Sequence, residues 1–320
     1  MMSIIRKIIK NKHTHRIGCC LILFFILMNN GLYAQDAIQF SQYFSNQLAI
    51  NPAYAGADDA LSLTMVHRNQ WTGVNGAPRT TTLSGHTLFK NENTGIGVSL
   101  FVDEINIHSN VSFSGIYSYR IKLGKASYLS MGLQAGINYA KSDYASLTST
   151  IFDPNDPGLL FEKQSESAFQ FGTGLYFKSS KLEVGISAPV LYSSKSSSSQ
   201  DSTRITGRSP HYFMLTRYKI QLSHNIQLNP GFLLKSRIGN PLAIDLNLET
   251  VINEVLMLGL SYRSFESLCA ILQMKILPQM KFGYSYDIPL STIQRSYFNS
   301  HELMLNYVFK YKNYNVKSPR

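Results

Sequence analysis

From residue 61 onward, apolar and polar residues alternate along the chain in a series of short segments. In one of them, Leu129, Met131 and Leu133 share one face, whereas Ser130 and Gly132 share the other. The same two-residue period recurs at 94–103, 241–250, 254–263 and 279–288. A two-residue period places alternate side chains on opposite faces of a β-strand. The pattern therefore predicts an all-β fold whose strands each have one apolar and one polar face.

Fourteen strands are predicted, and the connections between them alternate in length. The strands are expected at 61–68, 79–89, 94–103, 109–121, 127–140, 166–177, 181–189, 210–221, 225–236, 241–250, 254–263, 267–277, 279–288 and 300–310. Connections after even-numbered strands are short, whereas those after odd-numbered strands include every long gap, at 69–78, 104–108, 141–165, 190–209 and 289–299. Short turns on one rim, long loops on the other and an even strand count are typical of a transmembrane antiparallel β-barrel. With a periplasmic N terminus, every long loop would face outward and every tight turn inward.

The strands of a soluble β-sandwich also alternate apolar and polar residues, with the polar face in water. Further features are therefore needed to distinguish a sandwich from a barrel. Predicted strands of about 9–13 residues match a tilted membrane crossing better than the usual globular strand of 5–6 residues. The 19 Tyr and 18 Phe often lie at strand ends, as an interfacial aromatic girdle requires. Both features favour a strand-built membrane protein.

The first 34 residues are typical of a cleaved secretory signal peptide. Five basic residues precede an apolar run at 17–28, which is shorter than the roughly 20 residues of a transmembrane helix. Ala34 is a small residue suited to cleavage, although Leu32 is larger than usual at its position. The alternative is a single membrane anchor. Cleavage would leave 25 basic and 19 acidic residues, a formal charge of +6, and Cys269 as the single cysteine, which excludes an intramolecular disulfide.

This interpretation divides the chain into a signal peptide (1–34), a periplasmic or lumenal segment (35–60), an outer-membrane barrel (61–310) and a C-terminal tail (311–320). Asn51-Pro52 favours extended backbone followed by a turn, and Gly56 suits a tight turn. We expect the segment that contains them to line the periplasmic mouth or to enter the lumen as a small plug.

No catalytic, cofactor-binding or metal-binding residues are predicted. The chain has no G-x-S-x-G elbow and no phosphate-binding loop. His301-Glu302 begins like the zinc motif H-E-x-x-H, but Leu305 takes the place of the second histidine. The turn cluster at 153–158 has too few oxygen ligands for calcium. The basic residues do not cluster with aromatic residues in a nucleic-acid pattern. A barrel-embedded lipid hydrolase stays open as an alternative, because many serines and several histidines are present (His86, His108, His211).

Several short motifs stand before the first strand and at strand ends. They are Gln39-Phe40-Ser41-Gln42-Tyr43-Phe44, Asn51-Pro52-Ala53-Tyr54-Ala55-Gly56, Arg68-x-Gln70-Trp71-x-Gly73, Gly76-Ala77-Pro78-x-Thr80, Gly283-Tyr284-Ser285-Tyr286-Asp287 and Ser300-His301-Glu302. Together they resemble the PorP/SprF family of outer-membrane proteins, which is linked to type IX secretion and gliding motility. One departure is Asn299, where members often have glycine.

The resemblance implies a non-enzymatic barrel that supports secretion and surface retention of an adhesin-like cargo. Its implied partners are outer-membrane lipid, type IX secretion components and a cargo with a C-terminal sorting domain, with no cofactor. We expect the cargo to bind the outward loops at 141–165 and 189–209, of which the serine-rich part, 193–209, should be mobile. A small-solute or lipid channel is the alternative function.

Motif residues are expected to have structural or partner roles, and they are Asn51, Pro52, Tyr54, Gly56, Arg68, Gln70, Trp71, Gly76, Pro78, Tyr286, Asp287, His301 and Glu302. Trp71 lies in the first outward loop, where it either contacts cargo or anchors the loop by packing near the rim. We favour the anchor, with Arg68 hydrogen-bonded inside the barrel. His301 and Glu302 are expected to form a polar seam inside the lumen.

Overall fold

A computed structural model describes residues 40–90, 92–144, 164–197, 210–238, 240–264, 266–290 and 299–309 of the chain. Residues 37–238 and 242–320 form one compact unit, and the fold below is that of this unit. The expected signal peptide, the turn cluster at 153–158 and the C-terminal tail lie outside the described residues, as does most of the two longest loops.

The described residues form fifteen β-segments and two short 3-10 helices. The strands are β1 Leu61–Asn69, β2 Arg79–Leu88, β3 Thr94–Ile105, β4 His108–Lys122, β5 Tyr128–Ser142, β6 Gln164–Lys178, β7 Leu182–Ser197, β8 His211–Tyr218, β9 Ile220–Ser223, β10 Ile226–Arg237, β11 Ala243–Ile252, β12 Leu256–Arg263, β13 Ser267–Leu277, β14 Met280–Pro289 and β15 Ser300–Phe309. The helices are η1 Gln47–Ala49 and η2 Pro52–Tyr54.

The strands close into a fourteen-stranded antiparallel barrel, which confirms the predicted fold. Segments β8 and β9 both pair with β10 and are separated only by Lys219, so they act as one barrel strand. Each remaining strand pairs with its neighbours in the chain, and β1 pairs with β15 to complete the ring. Each strand is therefore paired on both sides over the part of the wall that closes the ring, which is the condition for strands to cross lipid, although β7 beyond Ser187 pairs with β6 alone among the described residues.

The two faces of the barrel wall have opposite chemistry. On β11, Asp245 and Asn247 are buried and face inward, whereas Leu246 between them is 53% exposed on the outer face. The same alternation on the other strands gives an apolar exterior and a polar interior. This arrangement is the reverse of a soluble globular domain and is that of a membrane barrel.

The two rims differ in the length of their connections. The turn rim carries the short connections at 89–93, 123–127, 179–181, 224–225, 253–255 and 278–279. The loop rim carries the long connections, but it also carries two tight ones, at 106–107 and 264–266. The expectation that every tight turn lies on one rim was therefore wrong, although every long loop does lie on the other.

Strand β7 is longer than predicted. It was expected to end at residue 189 but continues to Ser197, and it pairs with β6 as far as Glu166. The register shifts between Phe171 and Thr173, opposite the part of β7 that contains Pro189. Residues 193–197 are therefore strand residues, which contradicts the expected mobile loop beginning at 193. Serine content concealed this strand, because it weakens the apolar–polar alternation.

Candidate functional site: a segment bound inside the lumen

Residues 40–60 cross the interior of the barrel, and we call them the lumenal strap. The strap is hydrogen-bonded to inward-facing side chains or backbone of β1, β2, β4, β6, β7, β12, β13, β14 and β15. Because these strands surround the lumen on several sides, a segment bonded to all of them lies within it. Sixteen of the 21 strap residues are buried.

The strap runs from the loop rim to the turn rim. Near its start, Ser41 contacts Arg68 and Asp287, which lie one and two residues from the loop-rim ends of β1 and β14. Near its end, Gly56 contacts Arg120, which lies close to the turn-rim end of β4. The chain then enters β1 at Leu61 on the turn rim.

At the loop rim, two carboxylates and a guanidinium hold the start of the strap. We call Arg68, Asp287 and Glu302 the loop-side clasp. Glu302 accepts hydrogen bonds from the backbone N–H groups of Ser41 and Gln42, each at 2.8 Å. The Ser41 hydroxyl donates to Asp287 at 2.8 Å and accepts from Arg68 Nη1, also at 2.8 Å. Arg68 Nη2 lies 2.6 Å from Asp287 Oδ2, and Arg68 Nη1 lies 3.3 Å from Glu302 Oε2.

The loop-side clasp is one end of a longer row of buried charges of alternating sign. Arg263 lies 3.7 Å from Asp287 and 3.4 Å from Asp245, and Lys235 lies 2.9 Å from Asp245. All members are at most 8% exposed. Since an isolated buried charge is strongly unfavourable, each charge here depends on its neighbours of opposite sign.

The N-P-x-Y motif at 51–54 determines the conformation of the middle of the strap. The Asn51 side chain accepts a hydrogen bond from Ala53 N–H at 2.9 Å and so caps η2, whose first residue is Pro52. Proline suits this position because its missing N–H would have no partner in the helix. Asn51 also donates to the backbone oxygen of Leu175 at 3.0 Å, which fixes the helix to β6.

A second charge cluster lies beside this part of the strap. Glu183 is within 2.6 Å of Arg217 and 2.9 Å of Lys219, and Arg217 also reaches Glu249 at 3.5 Å. The Gln47 amide donates to Glu183 at 3.4 Å. The strap therefore binds charged wall groups along its length and not only at its ends.

At the turn rim, strand side chains donate to the backbone oxygens of the strap. We call Ser118, Arg120 and Lys178 the turn-side clasp. Ser118 donates to Ala55 O at 2.6 Å, Arg120 to Gly56 O at 2.7 Å, and Lys178 to Ala57 O at 3.0 Å. Three consecutive carbonyl groups are thus held by three different side chains.

Tyr54 and His86 complete the turn-rim end of the strap. The Tyr54 hydroxyl donates to Asp58 at 2.8 Å, and its ring packs edge-on against His86 and Tyr176. His86 Nδ1 accepts from Gly56 N–H at 3.1 Å, and its Nε2 lies 3.4 Å from Asp58. These contacts assign His86 to binding of the strap.

Glycines on the inner wall make room for the strap. A Cβ atom on Gly132 would lie 2.1 Å from Ala53 N, one on Gly95 2.2 Å from Ala55 O, and one on Gly283 2.1 Å from the Gln42 side chain. Gly174 has the same relation to the Asn51 side chain, at 2.1 Å. At Gly132 and Gly95 the nearest atoms belong to the strap backbone, so these two positions admit no larger residue while the strap keeps its place.

Backbone hydrogen bonds hold the first connection on the loop rim, at 70–78, in place. Gln70 N–H bonds to Pro78 O, and Thr72 N–H bonds to Asn299 O, both at 2.9 Å. Trp71 itself is 39% exposed, with a left-handed φ of +49°. The anchoring role of Trp71 stays a prediction, whereas Arg68 does lie inside the barrel, hydrogen-bonded to Ser41 and Asp287.

Gly76 accounts for another contact of this connection. Its φ is +73°, which favours glycine, and its backbone oxygen accepts from Asn106 N–H at 2.9 Å. A Cβ atom at this position would lie 3.0 Å from the Asn106 side chain. Gly76 thus joins the first connection to the tight turn at 106–107.

The two residues His301 and Glu302 of the last motif point to opposite faces of β15. Glu302 faces the lumen, but His301 faces outward, where its Nδ1 lies 2.7 Å from the Tyr284 hydroxyl and its ring packs edge-on against Tyr286. The expected lumenal seam of both residues was wrong for His301, because neighbouring residues of a strand point to opposite faces. The motifs around Ser41, Arg68, Asp287 and Glu302 do converge on one site.

Among the described residues, no helix is long and apolar enough to cross a membrane. Within the same ranges, no three His, Cys, Asp or Glu side chains are grouped to hold a metal ion.

The chain matches a known family over most of its length. A family model described as type IX secretion system membrane protein PorP/SprF matches residues 32–307. The chain belongs to the PorP/SprF family. As a member with this fold, it is an outer-membrane β-barrel protein associated with type IX secretion, as the sequence motifs predicted. No curated protein matches it.

Solved structures similar to this PorP/SprF chain agree with the barrel fold. The toluene transporter TbuX of Ralstonia pickettii has a TM-score of 0.50 and 10% identity, with 81% of this chain and 92% of that chain covered. A TodX deltaS2S3 mutant, a monoaromatic hydrocarbon channel, also has a TM-score of 0.50, with 9% identity and coverage of 82% and 94%. At such low identity these likenesses concern the fold alone.

Proposed function

We propose that this PorP/SprF protein is a non-enzymatic, closed barrel that supports secretion and surface retention of a secreted cargo. It would bind the C-terminal sorting domain of an adhesin-like protein at its loop rim, with other type IX secretion components as partners. The observation that carries the closed state is the strap, which is bonded to the wall from the loop rim to the turn rim. With the strap across its lumen, the barrel would act by binding partners at its exposed surfaces.

The closed state distinguishes this proposal from a small-solute or lipid channel. The strap lies across the described lumen and is bonded to nine strands, which argues against an open path for solutes. We therefore expect the purified full-length protein, inserted into planar bilayers, to show no persistent open conductance. A stable pore in the unaltered protein would favour the channel and contradict this part of the proposal.

Cargo binding is proposed for the outward loops within 141–165 and 189–209. The structure narrows the useful deletion, because residues up to Ser197 belong to β7. Deleting residues 199–207 spares every described strand and should release the cargo into the medium while the heat-modifiable barrel persists. The control is a substitution of residues within the turn at 123–127, on the opposite rim, and it should leave the cargo on the cell surface. Retention after the loop deletion would place the binding site elsewhere.

A further inference from the structure

Lysines near the turn-rim ends of several strands point into the lumen. Each continues the inward-facing series of its strand, and they are Lys178 on β6, Lys275 on β13, Lys281 on β14 and Lys219 next to β8. Two of them have a clear partner, since Lys219 lies 2.9 Å from Glu183 and Lys178 donates to Ala57 O at 3.0 Å. The lysines of β13 and β14 differ from these two.

Lys275 and Lys281 lie directly opposite each other on paired strands. Both face inward, because Gln273, two residues before Lys275, donates to the Gln42 side chain of the strap, and Gly283, two residues after Lys281, lies against the same side chain. Like charges at directly opposite positions of a sheet repel each other. The pair is therefore unfavourable unless negative charge comes close to both ammonium groups.

The described surroundings of the pair supply little such charge at contact distance. Among the residues that the structure describes, neither Lys275 nor Lys281 forms an ion pair, and the Lys281 ammonium donates only a long hydrogen bond, 3.4 Å, to the Ser45 hydroxyl. Asp58 and Glu249 act on Lys281 from a greater distance, but both already contact other basic side chains. The two lysines thus share an excess of positive charge.

The strap does not cover this part of the wall with hydrogen bonds. Strap residues 46–57 bond to the wall on strands from β2 to β7, on the other side of the barrel. On β13 and β14, the described strap bonds nearest the turn rim are those of Ser45 to Gln273 and Lys281. Lys275 lies two residues beyond Gln273 towards the turn rim.

We propose that Lys275 and Lys281 bind a terminal phosphate group at the turn-side mouth of the lumen. Such a group carries about −1.5 to −2 charge at pH 7, so it can offset both ammonium groups at once. Lysine binds phosphate as a point charge, and hydrogen bonds between ionised partners are stronger than neutral ones. The ligand is inorganic phosphate or a phosphomonoester. This site is separate from the proposed cargo contact at the loop rim and does not depend on it.

Urea unfolding of the full-length protein in maltoside micelles, with inorganic phosphate as the probe at constant ionic strength, tests the site. Phosphate should raise the urea midpoint of the parent saturably, because a ligand that binds only the folded state stabilises it. Lys275→Met and Lys281→Met should each raise the dissociation constant by about tenfold or more, since each loses a hydrogen bond to a charged group. Lys125→Met, at an exposed position of the turn rim, is the control and should bind phosphate as the parent does.

The same variants in phosphate-free buffer give a second measurement. Either lysine variant should have a higher urea midpoint than the parent, because the repulsion between two like charges is removed, whereas Lys125→Met should not. A lower midpoint for both would show that the lysines stabilise the barrel by themselves and would contradict the proposal. Heat-modifiable migration checks that each variant is folded.

Two further comparisons complete the test. Equal protection of the parent and both lysine variants by phosphate, or equal protection of the parent by sodium chloride at the same ionic strength, would overturn the site. Glycerol 3-phosphate as a second probe separates the two sources of the group. Tighter binding of this ester would identify a phosphomonoester as the ligand, and tighter binding of inorganic phosphate would identify the free ion.

Discussion

The two clasps bind the strap backbone through opposite kinds of hydrogen bonds. At the loop-side clasp, the strap backbone donates its N–H groups to a carboxylate, Glu302. At the turn-side clasp, the strap backbone accepts through its carbonyl groups, from Ser118, Arg120 and Lys178. The side chains that bind the backbone are thus acceptors in one clasp and donors in the other, which suits the free N–H and C=O groups of an irregular backbone.

The two clasps also differ in how much buried charge loses its partner when one residue is removed. The loop-side carboxylates are fully buried and depend on Arg68 and Arg263. At the turn side, the charged partner of Arg120 is Asp59, which is 57% exposed and retains water. We therefore expect the strap to be more sensitive to mutation at the loop rim than at the turn rim.

The largest effect is expected for Arg68→Met. It leaves Asp287 and Glu302 as buried carboxylates with too little positive charge, and breaking such a pair costs about 3–5 kcal/mol. Urea unfolding of the barrel in lipid vesicles measures the loss, and bilayer recording should show the lumen opening.

The control for this variant is Lys122→Met. Lys122 pairs with Glu92 at the exposed turn rim, where its charge and hydrogen bond hold the pKa of the Glu92 carboxyl below its usual value. Equal urea midpoints for the two variants would show that the loop-side clasp contributes nothing beyond a surface ion pair.

A smaller loss is expected for Arg120→Met. This variant removes the hydrogen bond to Gly56 O and the ion pair with Asp59, and a hydrogen bond to a charged group contributes about 1.5–3 kcal/mol. Amide hydrogen exchange should accelerate at residues 55–59 and remain slow at 41–42. Faster exchange at both ends would mean that the two clasps act as one unit.

Filling the inner wall should displace the strap without touching a charge. In Gly132→Val, the new side chain overlaps Ala53, and overpacking of this kind costs about 1–3 kcal/mol. The matched control is Gly115→Val on β4, where a Cβ atom meets nothing within 4 Å. If conductance and urea midpoint are the same for both variants, the strap is not packed against the wall as described.

The smallest effect is expected for Ser118→Ala, which removes one hydrogen bond to Ala55 O and costs about 1 kcal/mol. The urea midpoint should fall by less than in Arg120→Met. A loss as large as that of Arg120→Met would indicate that the neutral and charged members of the turn-side clasp contribute equally.

The sequence predicts the barrel well because the two-residue period is a local property of each strand. Leu246 between Asp245 and Asn247 shows the pattern without reference to any other part of the chain. The same period should have separated His301 from Glu302, since neighbours on a strand cannot share a face. The end of β7 was missed because serines at 193–197 carry little hydrophobic signal, and its pairing with β6 decides the structure there.

The loop-side clasp was not predictable from any single segment. Ser41, Arg68, Asp287 and Glu302 were each singled out within a motif, but their convergence depends on closure of β1 against β15, across more than 200 residues of chain. A useful signal was the presence of glycines on inward-facing positions, such as Gly132 and Gly283. Their lack of side chains marks where another segment approaches the wall.

Pairing of the first strand with the last has a consequence for the order of biogenesis. Glu302 belongs to β15, which is synthesised after every other strand, yet it accepts hydrogen bonds from the backbone N–H groups of residues 41 and 42. Residues 41 and 42 therefore cannot reach their final attachment until β15 has joined the barrel. Truncation before β15 should leave residues 41 and 42 open to periplasmic proteases. Loss of the last strand would then be observed as proteolysis more than 200 residues earlier in the chain.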